Sequence, residues 1–195
     1  INALKTPSGK IEITSNTIKN YNLKDCKGHP TWLEPYEWLG RKEKFSLHLL
    51  SNQPEYRLHG QLDNAEYSLK NKIKDREPVL INIEDAKERN IENNDIVLIF
   101  NKRGRVLAGA RLSDEIMKGV LVLSTGAWFD PDYEINTDLH GNPNVLTKDI
   151  GTSQLSQAPT SHTCLVEIRK AKQNEIKKVK IFLKPKTQKK LEQKY

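Results

Sequence analysis

The apolar residues of this chain come in short runs, and each run ends at a polar or turn-forming residue. The clearest examples are "FSLHLL" from Phe45, "IVLIF" from Ile96, "VLVL" from Val120 and "CLVEI" from Cys164. Runs of this length are typical of strands, whereas a helix of a globular domain needs a longer pattern with a period of 3.6 residues. We therefore predict a mainly β fold with a few short helices.

These patterns favour six strands. The alternation in Lys10–Ser15, after a Pro-Ser-Gly turn, favours a half-exposed strand. The run "KFSLHLLS" favours a second strand with its apolar residues buried, namely Phe45, Leu47, Leu49 and Leu50. The other four are a hairpin of Ile96–Phe100 with a return strand through Val106, Ala108 and Ala110 after a turn at Lys102–Gly104, the run "GVLVLS", and Cys164–Arg169. Six short strands with two long loops fit a small β-barrel best.

One helix is predicted within "INIEDAKERN". Asn82 is placed to cap its N-terminus, with Asp85 three residues further on, as in a capping box. The helix should end near Asn90. Both Asn90 and Asn94 tolerate the left-handed backbone conformation that helix ends and tight turns need, a role usually filled by glycine.

Two long polar segments follow predicted strands. The first is "SNQPEYRLHGQLDN", residues 51–64, and the second is "GAWFDPDYEINTDLHGNPNVLTKDIGTSQLSQ", residues 126–157. Loops longer than about 12–15 residues are usually functional or disordered. Neutral amides and hydroxyls suit the edge of a heterocycle, and an arginine suits a phosphate, so the two loops together describe a dinucleotide-like ligand. Ordinary hydrogen bonds to the neighbouring backbone are the alternative.

The positive charge of the chain lies at one end. Residues 170–195 contain ten lysines and two glutamates, so their net charge is +8. The net charge of the whole chain is +7, which leaves residues 1–169 with a net charge of −1. A lysine-rich tail without interleaved arginines favours a solvated extension over a nucleic-acid site.

The two cysteines, Cys26 and Cys164, are far apart and lack CxxC spacing, which argues against a disulfide framework and a zinc site. Cys164 lies in an apolar run and is predicted to be a core residue. No apolar run approaches the roughly 20 residues that cross a bilayer, so no membrane span is predicted. The first residue is isoleucine, and we expect the sequence to be a piece of a longer protein.

Catalytic motifs are absent from the sequence. None of the five histidines falls in an HxxxH or HExxH pattern, and there is no GxSxG elbow, P-loop or GxGxxG. His48 lies inside a predicted strand. A metal site made by this chain alone is therefore not expected, and neither is nucleophilic catalysis.

Eight stretches, in order over residues 6–168, resemble the C-terminal, molybdopterin-dinucleotide-binding domain of the dimethyl sulfoxide reductase family. They are "TPSGKIEITS", "GHPTWLEPYEW", "LHLLSNQPEYRLHGQLDN", "EPVLINIEDAKERNIENNDIV", "NKRGRVLAGARL", "GVLVLSTGAWFDPD", "HGNPNVLTKDIGTSQLSQ" and "HTCLVEI". Each stretch alone is weak, but the ordered set is specific. Within the family, the chain looks most like the biotin sulfoxide and trimethylamine N-oxide reductases.

The resemblance implies a six-stranded double-psi β-barrel with long cofactor-contacting loops. It divides the chain into an N-terminal strand and connector (1–44), the barrel (45–169) and a basic extension (170–195). The implied cofactor is bis(molybdopterin guanine dinucleotide) molybdenum, bound in a larger enzyme. Its contacts are implied for nine residues of the two loops: Ser51, Gln53, Arg57, His59, Gln61, Asn142, Thr152, Gln154 and Gln157.

Individual roles also follow from the resemblance. His59 would lie at a pterin edge, and Arg57 would serve either a phosphate or a structural pair. Trp128 and Asp130 would either reach towards the substrate funnel or pack within the domain, and packing is favoured. The chain departs from the family at Gly60, where serine is usual, and the lysine tail after Arg169 has no counterpart.

The intact enzyme would reduce S-oxides or N-oxides, while this chain alone would be catalytically silent. Expected partners are the upstream domains of the same polypeptide and an electron donor, a cytochrome or small redox protein, with no nucleic acid. A twin-arginine signal in the full-length chain would place the enzyme in the periplasm, and its lack would place it in the cytoplasm. The alternative is a free-standing small barrel that binds nucleic acid or a protein through its basic tail.

Overall fold

Strands dominate the computed structural model, which describes residues 2–41 and 44–182. In chain order the elements are α1 (Asn16–Asn20), β1 (Leu47–Leu50), α2 (Glu66–Lys70), β2 (Pro78–Asn82), α3 (Ile83–Glu88), β3 (Ile96–Phe100), β4 (Arg105–Ser113), β5 (Val120–Leu123), β6 (Pro131–Asp132), β7 (Thr137–Asp138) and β8 (Leu165–Lys170). Short 3-10 helices cover Leu39–Arg41, Pro143–Val145 and Gln173–Glu175.

Six of the strands close into a barrel, in the order β2, β5, β1, β8, β3 and β4, with β4 pairing back onto β2. The β1–β5 and β2–β4 pairs are parallel, and the other pairs around the ring are antiparallel. The short strands β7 and β6 branch from β4. The mainly β fold and the six-stranded barrel are therefore confirmed.

The barrel interior holds the main core. Side chains on alternate positions of the strands point inward, as the period of two residues requires. Leu47 and Leu49 of β1 are buried, whereas Leu50 is exposed, so the prediction that Leu50 is buried is wrong. Phe45 is half-buried against Phe100. Cys164 is a core residue, as predicted.

The predicted strand at Lys10–Ser15 is wrong, and β2 takes its place in the barrel. No strand within residues 2–41 and 44–182 pairs with the segment around Ile11 and Ile13, and these side chains are 83% and 74% exposed. The strand β2 begins at Pro78, which is the position in a strand where the missing N–H of proline is tolerated.

The predicted helix is confirmed as α3, although it ends at Glu88 rather than near Asn90. The side chain of Asn82 accepts a hydrogen bond from the Glu84 N–H and caps the helix, as predicted. Asp85 does not complete a capping box, because its carboxylate instead accepts from the Gly119 N–H at 2.6 Å. Asn90 and Asn94 have φ values of 53° and 67°, as predicted.

Strand register brings the long loops to one end of the barrel. Since β1 and β5 are parallel, with Leu50 opposite Val122, the loops that follow these strands leave in the same direction. Strand β8 runs antiparallel to β1, with His48 opposite Leu165, so the segment before β8 reaches this end too. We call it the loop end. Helix α3 lies at the opposite end, because β2 runs antiparallel to β5.

The N-terminal connector is anchored to the barrel by Glu37. Its carboxylate accepts hydrogen bonds from the two terminal nitrogens of Arg103 at 2.7 and 2.9 Å, and from the Leu165 N–H at 2.7 Å. Lys148 Nζ lies 3.1 Å from the same carboxylate. Burial acts to raise the pKa of Glu37, but these hydrogen bonds outweigh it and lower the pKa to about 2.

The helices within residues 2–41 and 44–182 all fall short of the length and apolar character that a bilayer crossing needs.

Candidate functional site: the loop end of the barrel

The loop that follows β1 packs directly on the turn that follows β5. The Thr125 N–H donates to the Asn52 carbonyl at 2.9 Å, and the Trp128 indole N–H donates to the Gly60 carbonyl at 2.6 Å. Gly126 makes this approach possible. Its φ is +89°, and a Cβ at this position would lie 1.9 Å from the His59 carbonyl oxygen. The two loops therefore form one surface.

Gln53 and His59 are hydrogen-bonded to each other across the first loop. The Gln53 side-chain amide contacts His59 twice, with its nitrogen 2.9 Å from Nδ1 and its oxygen accepting from the His59 N–H at 3.2 Å. Both side chains are exposed. Within the described ranges, Nε2 of His59 makes no hydrogen bond, so this ring nitrogen is available to a ligand.

A buried ionic cluster lies beneath these loops. It consists of two cations and two anions whose side chains are at most 1% exposed: Arg57, Lys72, Asp63 and Glu77. Lys72 Nζ lies 2.7 Å from Asp63 and 3.0 Å from Glu77. Arg57 lies 3.0 Å from Glu77 and 3.5 Å from Asp63, and it also donates to the carbonyls of His59 and Thr125. The cluster thus attaches both loops to the start of β2.

The charges of this cluster are compensated pair by pair, which burial demands because an unpaired buried charge is very costly. Burial acts to raise the pKa of Asp63, but hydrogen bonds from His140, Lys72 and the Trp128 N–H hold it well below its usual range. Tyr56 donates to Glu77 at 2.5 Å, and burial together with this carboxylate raises the pKa of the phenol. The phenol is therefore neutral and the carboxylate of Asp63 is charged.

His140 joins the second loop to the same cluster. The buried imidazole has Nε2 at 3.0 Å from Asp63 Oδ2 and Nδ1 at 2.9 Å from the Asp75 carbonyl. The imidazole therefore bridges the carboxylate of Asp63 and the backbone of the segment that precedes β2.

Asp138 sets the conformation of the turn around His140. Its carboxylate accepts from the N–H groups of Gly141 and Asn142, both at 2.8 Å, and from those of Asp130 and His140. Burial raises the pKa of Asp138 despite these four donors. The turn "LHGN" is consequently fixed from inside the protein by a buried carboxyl group.

The structure brings six of the nine predicted residues to this joined surface. Arg57 lies in the cluster, and the others lie on the loops around it: Ser51, Gln53, His59, Gln61 and Asn142. Asn142 has a structural function as well, because its side chain accepts from the Asn144 N–H and caps the 3-10 helix that follows.

The other three predicted residues lie in a tight hairpin closed by a bridge between Gly151 and Pro159. Thr152 donates to the Ser156 carbonyl, Gln157 donates to the Ser153 carbonyl, and the Gln154 N–H donates to Asp25 of the N-terminal segment. As far as the structure describes the chain, no hydrogen bond joins this hairpin to the first loop.

Sequence reasoning missed the charged members of the cluster, which are Asp63, Lys72 and Glu77. Charged residues between polar turns are usually solvated, but here the second loop covers them through Trp128 and His140, which both contact Asp63. Asp130 is buried and accepts from the N–H groups of Lys180 and Ile181, and the Trp128 indole donates to the Gly60 carbonyl, so both residues make contacts within the domain.

Two further features lie outside this surface. An open cavity of about 680 Å³ lies between the connector and the β3–β4 turn, and none of the nine predicted residues lines it. In the part of the chain described, no three His, Cys, Asp or Glu side chains are gathered as a metal site would need.

A closed barrel with polar loops fixed at one end defines a domain that presents a rigid polar surface to a ligand. A family model described as Molydopterin dinucleotide binding domain matches residues 47–165, and the chain belongs to this family.

Named relatives agree with this assignment. The chain is 49% identical to trimethylamine-N-oxide reductase from Haemophilus influenzae (87% of this chain, 21% of that protein). It is 46% identical to biotin sulfoxide reductase from Cereibacter sphaeroides (85% and 22%) and 50% identical to trimethylamine-N-oxide reductase 1 from Escherichia coli K12 (86% and 20%). The chain thus spans about a fifth of the length of these relatives.

Among solved structures, acetylene hydratase from Pelobacter acetylenicus is similar, with a TM-score of 0.69 and 14% sequence identity. The match covers 87% of this chain and 24% of that one. At this identity the likeness shows the fold alone.

Proposed function

We propose that this chain is the cofactor-capping domain of a molybdenum oxidoreductase that reduces S-oxides or N-oxides, and that it binds bis(molybdopterin guanine dinucleotide) molybdenum through its loop end. One observation carries the proposal. Two loops of the family-matched region, separated by most of the barrel in sequence, are locked together through Asp63 and His140 and leave amide and imidazole groups exposed.

The residues present fit such a cofactor. Exposed neutral groups at the loop end, such as the Gln53 amide and Nε2 of His59, can exchange hydrogen bonds with the edge of a pterin or guanine ring. Arg57 does not fit a phosphate contact, because its guanidinium is fully buried between two carboxylates. It serves as the structural pair, and we assign cofactor contacts to the remaining predicted residues: Ser51, Gln53, His59, Gln61, Asn142, Thr152, Gln154 and Gln157.

When bound, the molybdenum centre supplies the redox chemistry, the transfer of an oxygen atom and two electrons. The residues of this chain would bind and orient the cofactor and exclude water from its polar arms. Burying a large polar molecule costs little free energy only if nearly all of its polar atoms have hydrogen-bond partners. A rigid surface supplies these partners at low entropic cost, because the loops are already ordered by the buried cluster.

A binding module that acts through a free basic tail is the competing hypothesis. Three of the tail lysines are paired with acidic side chains of the barrel region: Lys170 with Asp95 at 2.8 Å, Lys180 with Asp132 at 3.4 Å and Lys177 with Glu134 at 3.8 Å. These pairs favour the cofactor domain, because lysines held this way are less available to phosphates.

The remaining partners follow from the size of the relatives. We infer that the upstream part of the same polypeptide supplies the substrate pocket and the metal ligand, and that a cytochrome or small redox protein donates electrons. A twin-arginine signal in the intact protein would direct it to the periplasm.

The test is to replace Gln53 and His59 by alanine in the intact enzyme and to measure bound molybdenum and pterin per protein. Both variants should lose cofactor while keeping the unfolding midpoint of the parent, since both side chains are exposed. Lys87→Ala, on α3 at the opposite end of the barrel, is the matched control and should retain full cofactor. Unchanged cofactor content in both loop variants would contradict the proposal.

A further inference from the structure

The chain continues past β8 and returns to the loop end. Residues 177–182, which we call the strap, pack on the loops rather than extending into solvent, so the expectation of a solvated extension is wrong for this part of the tail. Residues 183–195 lie outside the described residues. Val179 is buried, which shows that the strap is docked and not merely adjacent.

Main-chain groups of the strap dock onto buried charged residues. The N–H groups of Lys180 and Ile181 donate to one carboxylate oxygen of Asp130, at 2.5 and 3.1 Å. The Lys177 carbonyl accepts from the buried guanidinium of Arg76. Hydrogen bonds to charged groups are stronger than neutral ones, so these contacts fix the course of the strap.

The strap ends at Phe182, whose ring packs on the residues that connect the two loops. Its ring lies edge to face with the His140 imidazole, with ring centroids 4.7 Å apart, and 5.9 Å from the Trp128 ring. The ammonium of Lys72 lies 5.8 Å from the centre of the Phe182 ring. One aromatic side chain thus contacts a member of the buried cluster and two residues of the second loop, one near its start and one near its middle.

We propose that the strap is a positioning element of the loop end, and that Phe182 holds His140 and Trp128 in the arrangement that joins the two loops. The docking of the strap on the loops follows from the contacts above. The effect of the strap on cofactor binding rests on the proposed function. The strap is expected to raise cofactor retention by keeping the loop end ordered before the cofactor arrives.

Amide hydrogen exchange on the chain tests the docking. The parent is compared with a chain ending at Ile176, which lacks the strap but keeps the ion pairs of Glu175 with Arg105 and Arg169. Exchange at Trp128, Gly141 and Asn142, whose N–H groups bond to buried carboxylates, should become about tenfold faster, as loss of one typical aromatic contact predicts. Amides of β3 should keep their rates.

Point variants separate positioning from general stability. Phe182→Ala should reproduce the faster exchange of the loop amides, and Phe182→Tyr should restore the parent rates because its ring keeps the same contacts. A chain ending at Phe182, which lacks only residues 183–195, is the matched control and should behave as the parent. Equal acceleration in loops and strands, or no change in the loops, would overturn the proposal.

In the intact enzyme, Phe182→Ala should lower cofactor content several-fold and Phe182→Tyr should not. Failure of the proposed function is recognised separately, because the Gln53 and His59 variants, which leave the strap unchanged, would then retain full cofactor. Faster loop exchange in Phe182→Ala without cofactor loss, while those two variants do lose cofactor, would overturn the role of the strap in cofactor binding.

Discussion

His140 Nε2 lies 3.0 Å from Asp63 Oδ2, and this contact joins two loops whose residues are 77 positions apart in the chain. Asp63 also accepts from Lys72 and from the Trp128 N–H, so it is the point where both loops and the segment before β2 meet. The loop end therefore derives its shape from a buried carboxylate, and this dependence can be measured.

Replacing Asp63 by asparagine should destabilise the fold by about 3–5 kcal/mol, the usual cost of removing one charge from a buried pair. The amide is neutral, so Arg57 and Lys72 would be left with a single carboxylate between them. Urea denaturation gives the free energy of unfolding. Asp114→Asn, at an exposed position, should stay within about 0.5 kcal/mol of the parent. If Asp63→Asn also lowered the free energy of unfolding by less than about 0.5 kcal/mol, the cluster would not be a stabilising unit.

Arg57 and His59 are neighbours in one loop but should respond differently to substitution. Arg57→Gln removes a buried cation from two carboxylates and should lower the unfolding free energy by about 3–5 kcal/mol. His59→Ala changes an exposed side chain and should cost less than about 1 kcal/mol. Parallel urea titrations of the two variants measure the difference. Similar, small effects would return Arg57 to the group of candidate ligand contacts.

Gly126→Ala should destabilise the chain by roughly 1–3 kcal/mol, since the added Cβ would overlap the His59 carbonyl and Gly126 has a positive φ. Gly60→Ser is the matched control in the same pair of loops. A Cβ at Gly60 meets the nearest atoms at 3.5 and 3.6 Å, which is ordinary contact, so little change is expected. Thermal unfolding of both variants compares them, and an equal effect would contradict the close approach of the loops.

The connector should detach in acid before the barrel unfolds. The pKa of Glu37 is lowered from 4.5 to about 2, so its anchoring contributes stability above pH 4.5 that is lost as the pH falls towards 2. Hydrogen exchange of residues 37–41 against pH should show this loss. Glu37→Gln should be less protected at neutral pH and should lack the acid step. Glu55→Gln, at an exposed position, should follow the parent.

Local patterns predicted the parts of the fold that depend on local chemistry. The hairpin turn at Lys102–Gly104, the Asn82 cap and the left-handed Asn90 and Asn94 all follow from residues close in sequence. The error at Lys10–Ser15 has a different origin. Alternation predicts a strand only where a sheet is available to receive its apolar face, and the sequence does not report that.

The buried cluster is the feature that could not be predicted. The four charged residues lie within 57–77, but the sequence does not show that they are buried, because their cover includes Trp128 and His140, which lie 65 and 77 residues from Asp63. The contacts of Phe182 are equally non-local. In contrast, local sequence predicted that Gln53 and His59 lie on a polar loop after a buried strand, and their contact with a cofactor stays a prediction.

Strand β8 lies between β1 and β3 although it is the last of the strands in residues 44–182. The ring therefore cannot close while residues 165–170 are still on the ribosome, and the parallel β1–β5 pair is far apart in sequence as well. Non-local closure of this kind makes folding slow and leaves strand edges exposed during synthesis. Loading of a ligand at the loops must consequently wait until β8 has left the ribosome, so a nascent chain that still lacks this strand is a natural client for a chaperone.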